Sequence, residues 1–119
     1  MRAIKIDVRA QSVYYIDDFA TEFTVQEELD LHLGTETPVV GGMVKGHALV
    51  VPNLKNTGQW YYAVEGVKGV FCEDGIITGL DENCRYIDAH LNLEDLHVAF
   101  MSASGLHIKT NKMSNEKKY

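Results

Sequence analysis

Cys72, Cys84, His90 and His97 carry the side chains of this chain best suited to a soft metal, and they stand in the spacing C-x11-C-x5-H-x6-H. Zinc takes thiolate and imidazole ligands in tetrahedral sites, but the knuckle that lets two thiolates clasp one ion places them two to four residues apart. The gap between Cys72 and Cys84 removes that clasp, and pairing Asp88 with His90 in YIDAH restores no better spacing. The expectation is that no metal and no cofactor is bound. Nucleophilic catalysis would need a Ser or Cys, a base and an orienting acid that converge in space. Five histidines, His32, His47, His90, His97 and His107, supply bases, yet none lies in a GxSxG elbow or an HExxH helix. The carboxylate pairs Asp17-Asp18 and Glu73-Asp74 fall in stretches that read as turns, where acidic side chains are simply solvated. The chemistry therefore points to a non-catalytic protein, with a small hydrolase or other enzyme using His and Asp residues as the alternative.

Two further stretches offer binding chemistry. GGMVKGH has small residues for backbone approach to a phosphate and Lys45 for charge, but a Walker loop sets its lysine immediately before Ser or Thr at a helix start. Its strand-like flanks favour a hairpin. NLKNTGQWYYAVEG sets amide, hydroxyl and cationic side chains directly against three aromatic rings. In an alternating strand Trp60 and Tyr62 share one face and Tyr61 takes the other. Two arrangements fit: Tyr61 and Ala63 packing on the core, or an aromatic wall of Trp60 and Tyr62 that stacks a base or buries into a partner. In the second, Asn53, Lys55, Asn56, Thr57 and Gln59 supply hydrogen bonds at the rim, as amide-rich paratopes do. These seven residues are the candidate partner- or ligand-binding set.

The elements that must position them are short. RAIKIDV alternates Ile4, Ile6 and Val8 with Lys5 and Asp7, the pattern of a half-buried strand, and SVYYID reads as its hairpin partner. Thr24-Val-Gln-Glu27 matches a capping box, Val25, Leu29 and Leu33 repeat at spacing four, and Gly34 supplies a stop, so a helix is expected over residues 24–33. Two apolar runs, Val39 to Val44 and Ala48 to Val51, are separated by Lys-Gly-His, which suits a tight turn between antiparallel strands, and WYYAVEG, GVFCEDG and IITGLDE follow as β-prone runs. Residues 93–102 fit a short late helix opened by Asn92-Leu-Glu-Asp95 or a strand through HVAFM, and LHIKT reads as a last strand. The expected fold is a single α+β domain over residues 1–110, mostly antiparallel sheet with one early helix, followed by a polar tail at 111–119.

With 119 residues the chain has a modest core, so homo-oligomerisation is expected to supplement it. Seventeen acidic against eleven basic residues leave a formal charge of −6, which disfavours direct DNA binding because phosphate-holding proteins carry a basic patch. No apolar run approaches the roughly 18 residues of a membrane span and the N-terminus lacks the apolar core of a signal peptide, so a cytoplasmic protein is expected. Two cysteines are too few for a secreted disulfide scaffold and are read as reduced thiols.

The order of these pieces resembles a group of small phage and prophage proteins classed as a domain of unknown function. The likeness runs through Met1-Arg2-Ala3-Ile4-Lys5-Ile6-Asp7, a short helix, the strand ending VVPN, the glycine-punctuated GIITG and a late Leu93-Glu94-Asp95-Leu96, over roughly residues 1–100. NLKNTGQWYY has no counterpart in it. The resemblance implies a mobile-element gene expressed in a bacterial cytoplasm and carries no activity with it. Together these readings describe an accessory protein that binds a host component, either a host protein or a small nucleotide signal, and counteracts a defence or regulatory system.

Overall fold

The computed structural model describes residues 2–17, 38–52, 58–102 and 108–110. Within them the chain forms nine strands: β1 (Ala3–Asp7), β2 (Ser12–Ile16), β3 (Pro38–Val44), β4 (His47–Pro52), β5 (Trp60–Val64), β6 (Gly75–Leu80), β7 (Tyr86–Ile87), β8 (Val98–Ser102) and β9 (Ile108–Thr110). A six-stranded sheet runs β2-β1-β6-β4-β3 with β7 added beside β6, and a three-stranded sheet runs β5-β8-β9. Every pairing is antiparallel. The protein is thus essentially all-β, which corrects the α+β expectation. The helix expected at residues 24–33 lies outside the described residues. The late helix is reduced to one 3-10 turn, Leu93–Asp95, whose Asn92 cap makes no side-chain hydrogen bond. Without that cap the first backbone N–H groups gain no partner from it, and the chain passes instead into β8.

The hairpins follow local chemistry. β1 and β2 pair in register from Ala3↔Ile16 to Asp7↔Ser12. β3 and β4 are joined through Lys45 and Gly46, both at positive φ (49° and 80°), the signature of a type I′ turn whose twist matches the flanking strands. The pairing slips between Val40 and Gly42, so β3 carries a bulge at Gly41. The two glycines there give room to the connection that follows β5. A Cβ on Gly41 would stand 3.1 Å from the Phe71 ring, and one on Gly42 would collide with Val67. GVFCEDG, expected as a strand, contributes a single bridge, Phe71 to Tyr62.

Between β6 and β7 the turn is organised by Asp81. Its carboxylate accepts the backbone N–H groups of Asn83 (2.8 Å) and Arg85 (2.9 Å), with Arg85 Nε 3.5 Å from the second oxygen. The Arg85 N–H above all, then that of Asn83 and the Arg85 charge, hold the Asp81 carboxyl below its ordinary value of 3.8. A depressed folded value means that the contribution of Asp81 is complete above the ordinary carboxyl range and is lost as pH falls through the folded value. Amide exchange at Asn83 and Arg85 is therefore expected to keep its protection at pH 5 and lose it progressively below 3.8. In Asp81→Ala the protection should be low at both pH values.

The core lies between the sheets. Ile4, Ile6, Val13, Leu49, Val51 and Ile77 of the larger sheet form one buried cluster with Tyr62, Val64, Val98 and Phe100 of the smaller. Each such side chain contributes about 1.5–3 kcal/mol by leaving water. The opposite face of the larger sheet is buried as well: Ala3, Ala48, Val50 and Ile76 make a second cluster, with Ile16, Leu80 and Tyr86 against it.

Candidate functional site

β5 determines what the aromatic stretch can do. Its register with β8 sets Trp60 opposite Ser102, Tyr62 opposite Phe100 and Val64 opposite Val98. Those even-numbered positions face the core: Tyr62 is fully buried and Trp60 is half-buried against the same cluster. The Tyr62 ring centroid is 5.5 Å from that of Phe71 and 6.2 Å from that of Phe100. Its backbone N–H donates to Phe71 O, and Phe71 N–H donates back, both at 2.8 Å. Trp60 and Tyr62 do share a face, but it is the inner one, and Tyr61 and Ala63 take the reverse face, where both are half-buried. The outward wall of Trp60 and Tyr62 is corrected accordingly, because two sheets stacked face to face claim the larger rings. Gln59 is exposed just before β5, whereas Asn53, Lys55, Asn56 and Thr57 lie outside the described residues.

The Tyr62 hydroxyl is buried and has no hydrogen-bond partner among the described residues. Burial first, then the charges of Asp74, Cys72 and Glu73, push its ionisation far above the ordinary phenol value. A phenol so placed keeps its proton and fills space rather than acting as a base.

Ionisable groups meet elsewhere, at Lys5. This lysine is 8% exposed, with Nζ 3.5 Å from Asp74 Oδ2, while Asp74 Oδ1 accepts the Val8 N–H at 2.9 Å. Tyr14 stands opposite Lys5 across β1 and β2. Its hydroxyl is pushed above the ordinary value by burial and then by Asp7 and Asp74, so it too retains its proton. Both oxygens of Asp74 are engaged, tying β1 at Lys5 and the β1–β2 connection at Val8 to the residues before β6. This arrangement escaped the sequence reading, which took Lys5 as a polar residue of a half-buried strand; alternation signals two faces but not that both are covered.

The remaining candidates separate. Cys72 is half-buried and Cys84 exposed, and no disulfide joins them. The Cys72 thiol is raised by burial and then by Glu73, which opposes formation of a nucleophilic thiolate. Among the described residues no three His, Cys, Asp or Glu side chains gather as a metal would need. Asp88 Oδ1 accepts the Arg2 N–H at 2.9 Å, and the His90 N–H donates to His47 Nε2 at 3.0 Å. GGMVKGH is the β3–β4 hairpin, not a phosphate cradle.

What the described surface does offer is apolar. Val39, Val40 and Met43 on β3 are 38%, 51% and 47% exposed, and Val70, beside the Phe71 that rests on Gly41, is 55% exposed. β3 is an edge of the larger sheet among the described strands, and PVVGGMV carries no charge. Among the described residues no helix is long and apolar enough to cross a membrane. No protein-family model, no curated protein and no solved structure matches this chain.

Proposed function

We propose that this chain is a non-catalytic binding protein that docks a protein partner on the rim formed by β3 and Val70. The observation that carries the reading is the uncharged edge strand β3 with exposed apolar side chains, Val40 and Met43 on the face of Val50 and Ala48 and Val39 on the face of Val51, on an otherwise acidic protein of formal charge −6. Apolar centres with a polar surround are the usual anatomy of a protein interface, and the net charge of −6 favours a partner of opposite sign. A nucleotide signal is the weaker candidate, since the Tyr62 ring that would stack a base is in the core. The bulge at Gly41 breaks the regular edge, so docking proceeds through the Val40 and Met43 side chains rather than by adding a strand. The motif order resembling phage proteins supports a host component in the bacterial cytoplasm as that partner, a defence or regulatory factor being the natural target of an accessory gene.

Val40→Asp and Met43→Asp test the reading. Each is expected to weaken capture of the partner by about 2 kcal/mol or more, as at an interface hot spot, while shifting stability by about 0.5 kcal/mol or less. Calorimetry with the captured partner and urea melts of both variants provide the measurement, and unchanged affinity in both would refute the rim as the docking surface. Light scattering on the same samples checks self-association. A particle larger than the 13.3 kDa chain that dissociates in Val40→Asp would make a second copy the occupant of the rim.

A further inference from the structure

His47 opens β4 with its ring held at both nitrogens. Nδ1 lies 2.9 Å from the Lys45 carbonyl oxygen, and Nε2 lies 3.0 Å from the backbone nitrogen of His90, 43 residues further along the chain. A carbonyl oxygen only accepts and a backbone N–H only donates. The neutral imidazole with its proton on Nδ1 is therefore the one form that makes both bonds.

The residues held this way, 88–91, cross the larger sheet near its end. The Ala89 N–H donates to Arg2 O at 2.9 Å, the Tyr15 hydroxyl donates to Leu91 O at 3.0 Å, and the Ala89 and Leu91 side chains are buried in the main core. Gly79, paired with His47 across β4 and β6, leaves room for this crossing, because a Cβ there would collide with the Asp88 carbonyl. Asp88 and Ala89 are held by the backbone of Arg2, just before β1, and Leu91 by Tyr15 of β2, while the His47 ring joins the crossing to the β3–β4 hairpin.

We propose that His47 is a proton-sensitive latch between the β3–β4 hairpin and residues 88–91. A second proton on the ring turns Nε2 into a donor facing the His90 N–H, so the two groups repel and the bond opens. Ala89 and Leu91 keep their own partners, so acid frees the His90 end without unfolding the sheet. The ionisable residues on the two segments bonded to the ring are Lys45 in the turn and Asp88 and His90 in the crossing. Asp88 is itself engaged by the Arg2 N–H at 2.9 Å, and Arg2 Nε lies 3.2 Å from Asp17.

Amide exchange on the whole chain, expressed as protection factors so that the intrinsic pH dependence cancels, tests the latch at pH 7.5 and pH 5. His90 protection is expected to fall roughly fivefold on acidification, the size of one modest hydrogen bond, while Ala89 protection holds. His47→Gln offers an accepting oxygen that does not titrate, and should abolish the pH step at His90. Nitrogen shifts of the His47 ring at pH 7.5 should report the Nδ1–H tautomer. Equal His90 protection at both pH values, an Nε2–H tautomer, or a step that persists in His47→Gln and so belongs to Asp88 or the His90 ring, would each overturn the proposal.

Discussion

Gly75→Ala is expected to cost about 2–3 kcal/mol, although it adds a single methyl group and removes none of the existing contacts. A Cβ at this position would collide with Tyr62 Oη and stand 3.0 Å from Leu49 Cδ1. Neither neighbour can give way easily. The Tyr62 ring is fully buried beside Phe71 and Phe100, its backbone is tied twice to Phe71, and Leu49 is also fully buried. Tyr62→Phe alone removes a buried hydroxyl without a partner among the described residues, and should be neutral or stabilising by about 1 kcal/mol. In the double variant the Phe ring would leave the new methyl group at 3.5 Å from the former Cζ, an ordinary contact. A double-mutant cycle from urea melts should then show a favourable coupling of about 1.5 kcal/mol. Strict additivity would mean that residue 75 and the Tyr62 hydroxyl do not meet.

Tyr62→Ala is expected to be the most destabilising of the β5 substitutions, at about 4 kcal/mol, because it empties a fully enclosed ring-sized volume between the two sheets. Against a typical total of about 5–15 kcal/mol, such a loss leaves little folded protein under mild denaturant. Tyr61→Ala, on the reverse face and half-buried, should cost about 1 kcal/mol or less. This ordering is the opposite of the one expected if Trp60 and Tyr62 formed an outward wall. Chemical denaturation of both variants decides between them: if Tyr61→Ala proved the costlier, β5 would present its other face to the core.

What the local sequence determined about this protein is a set of hairpins. Ile4, Ile6 and Val8 alternating with charge specify β1 and its pairing with β2, and Lys45-Gly46 between two apolar runs specifies the β3–β4 turn. These features depend on side-chain period and on φ, which a few consecutive residues settle. Tertiary structure decided which way each strand faces. Along WYYAV both sets of alternate positions are apolar, so periodicity could not tell Trp60 and Tyr62 from Tyr61 and Ala63; stacking the three-stranded sheet on the six-stranded one placed the first set inside. The same is true of residues 93–102, where neither helical nor strand spacing wins locally and pairing with β5 yields β8.

Contacts between distant segments were beyond local reading altogether. Gly75 and Gly79 look like ordinary punctuation in GIITG, yet each is bare because another chain segment passes where a Cβ would sit. Lys5 is buried because both faces of its sheet are covered and Asp74, 69 residues later by number, meets its charge. The His47–His90 bond has the same origin. Alternation and turn chemistry act over two to five residues, whereas close approach, burial of a second face and the pairing of remote polar groups exist only once the sheets have assembled.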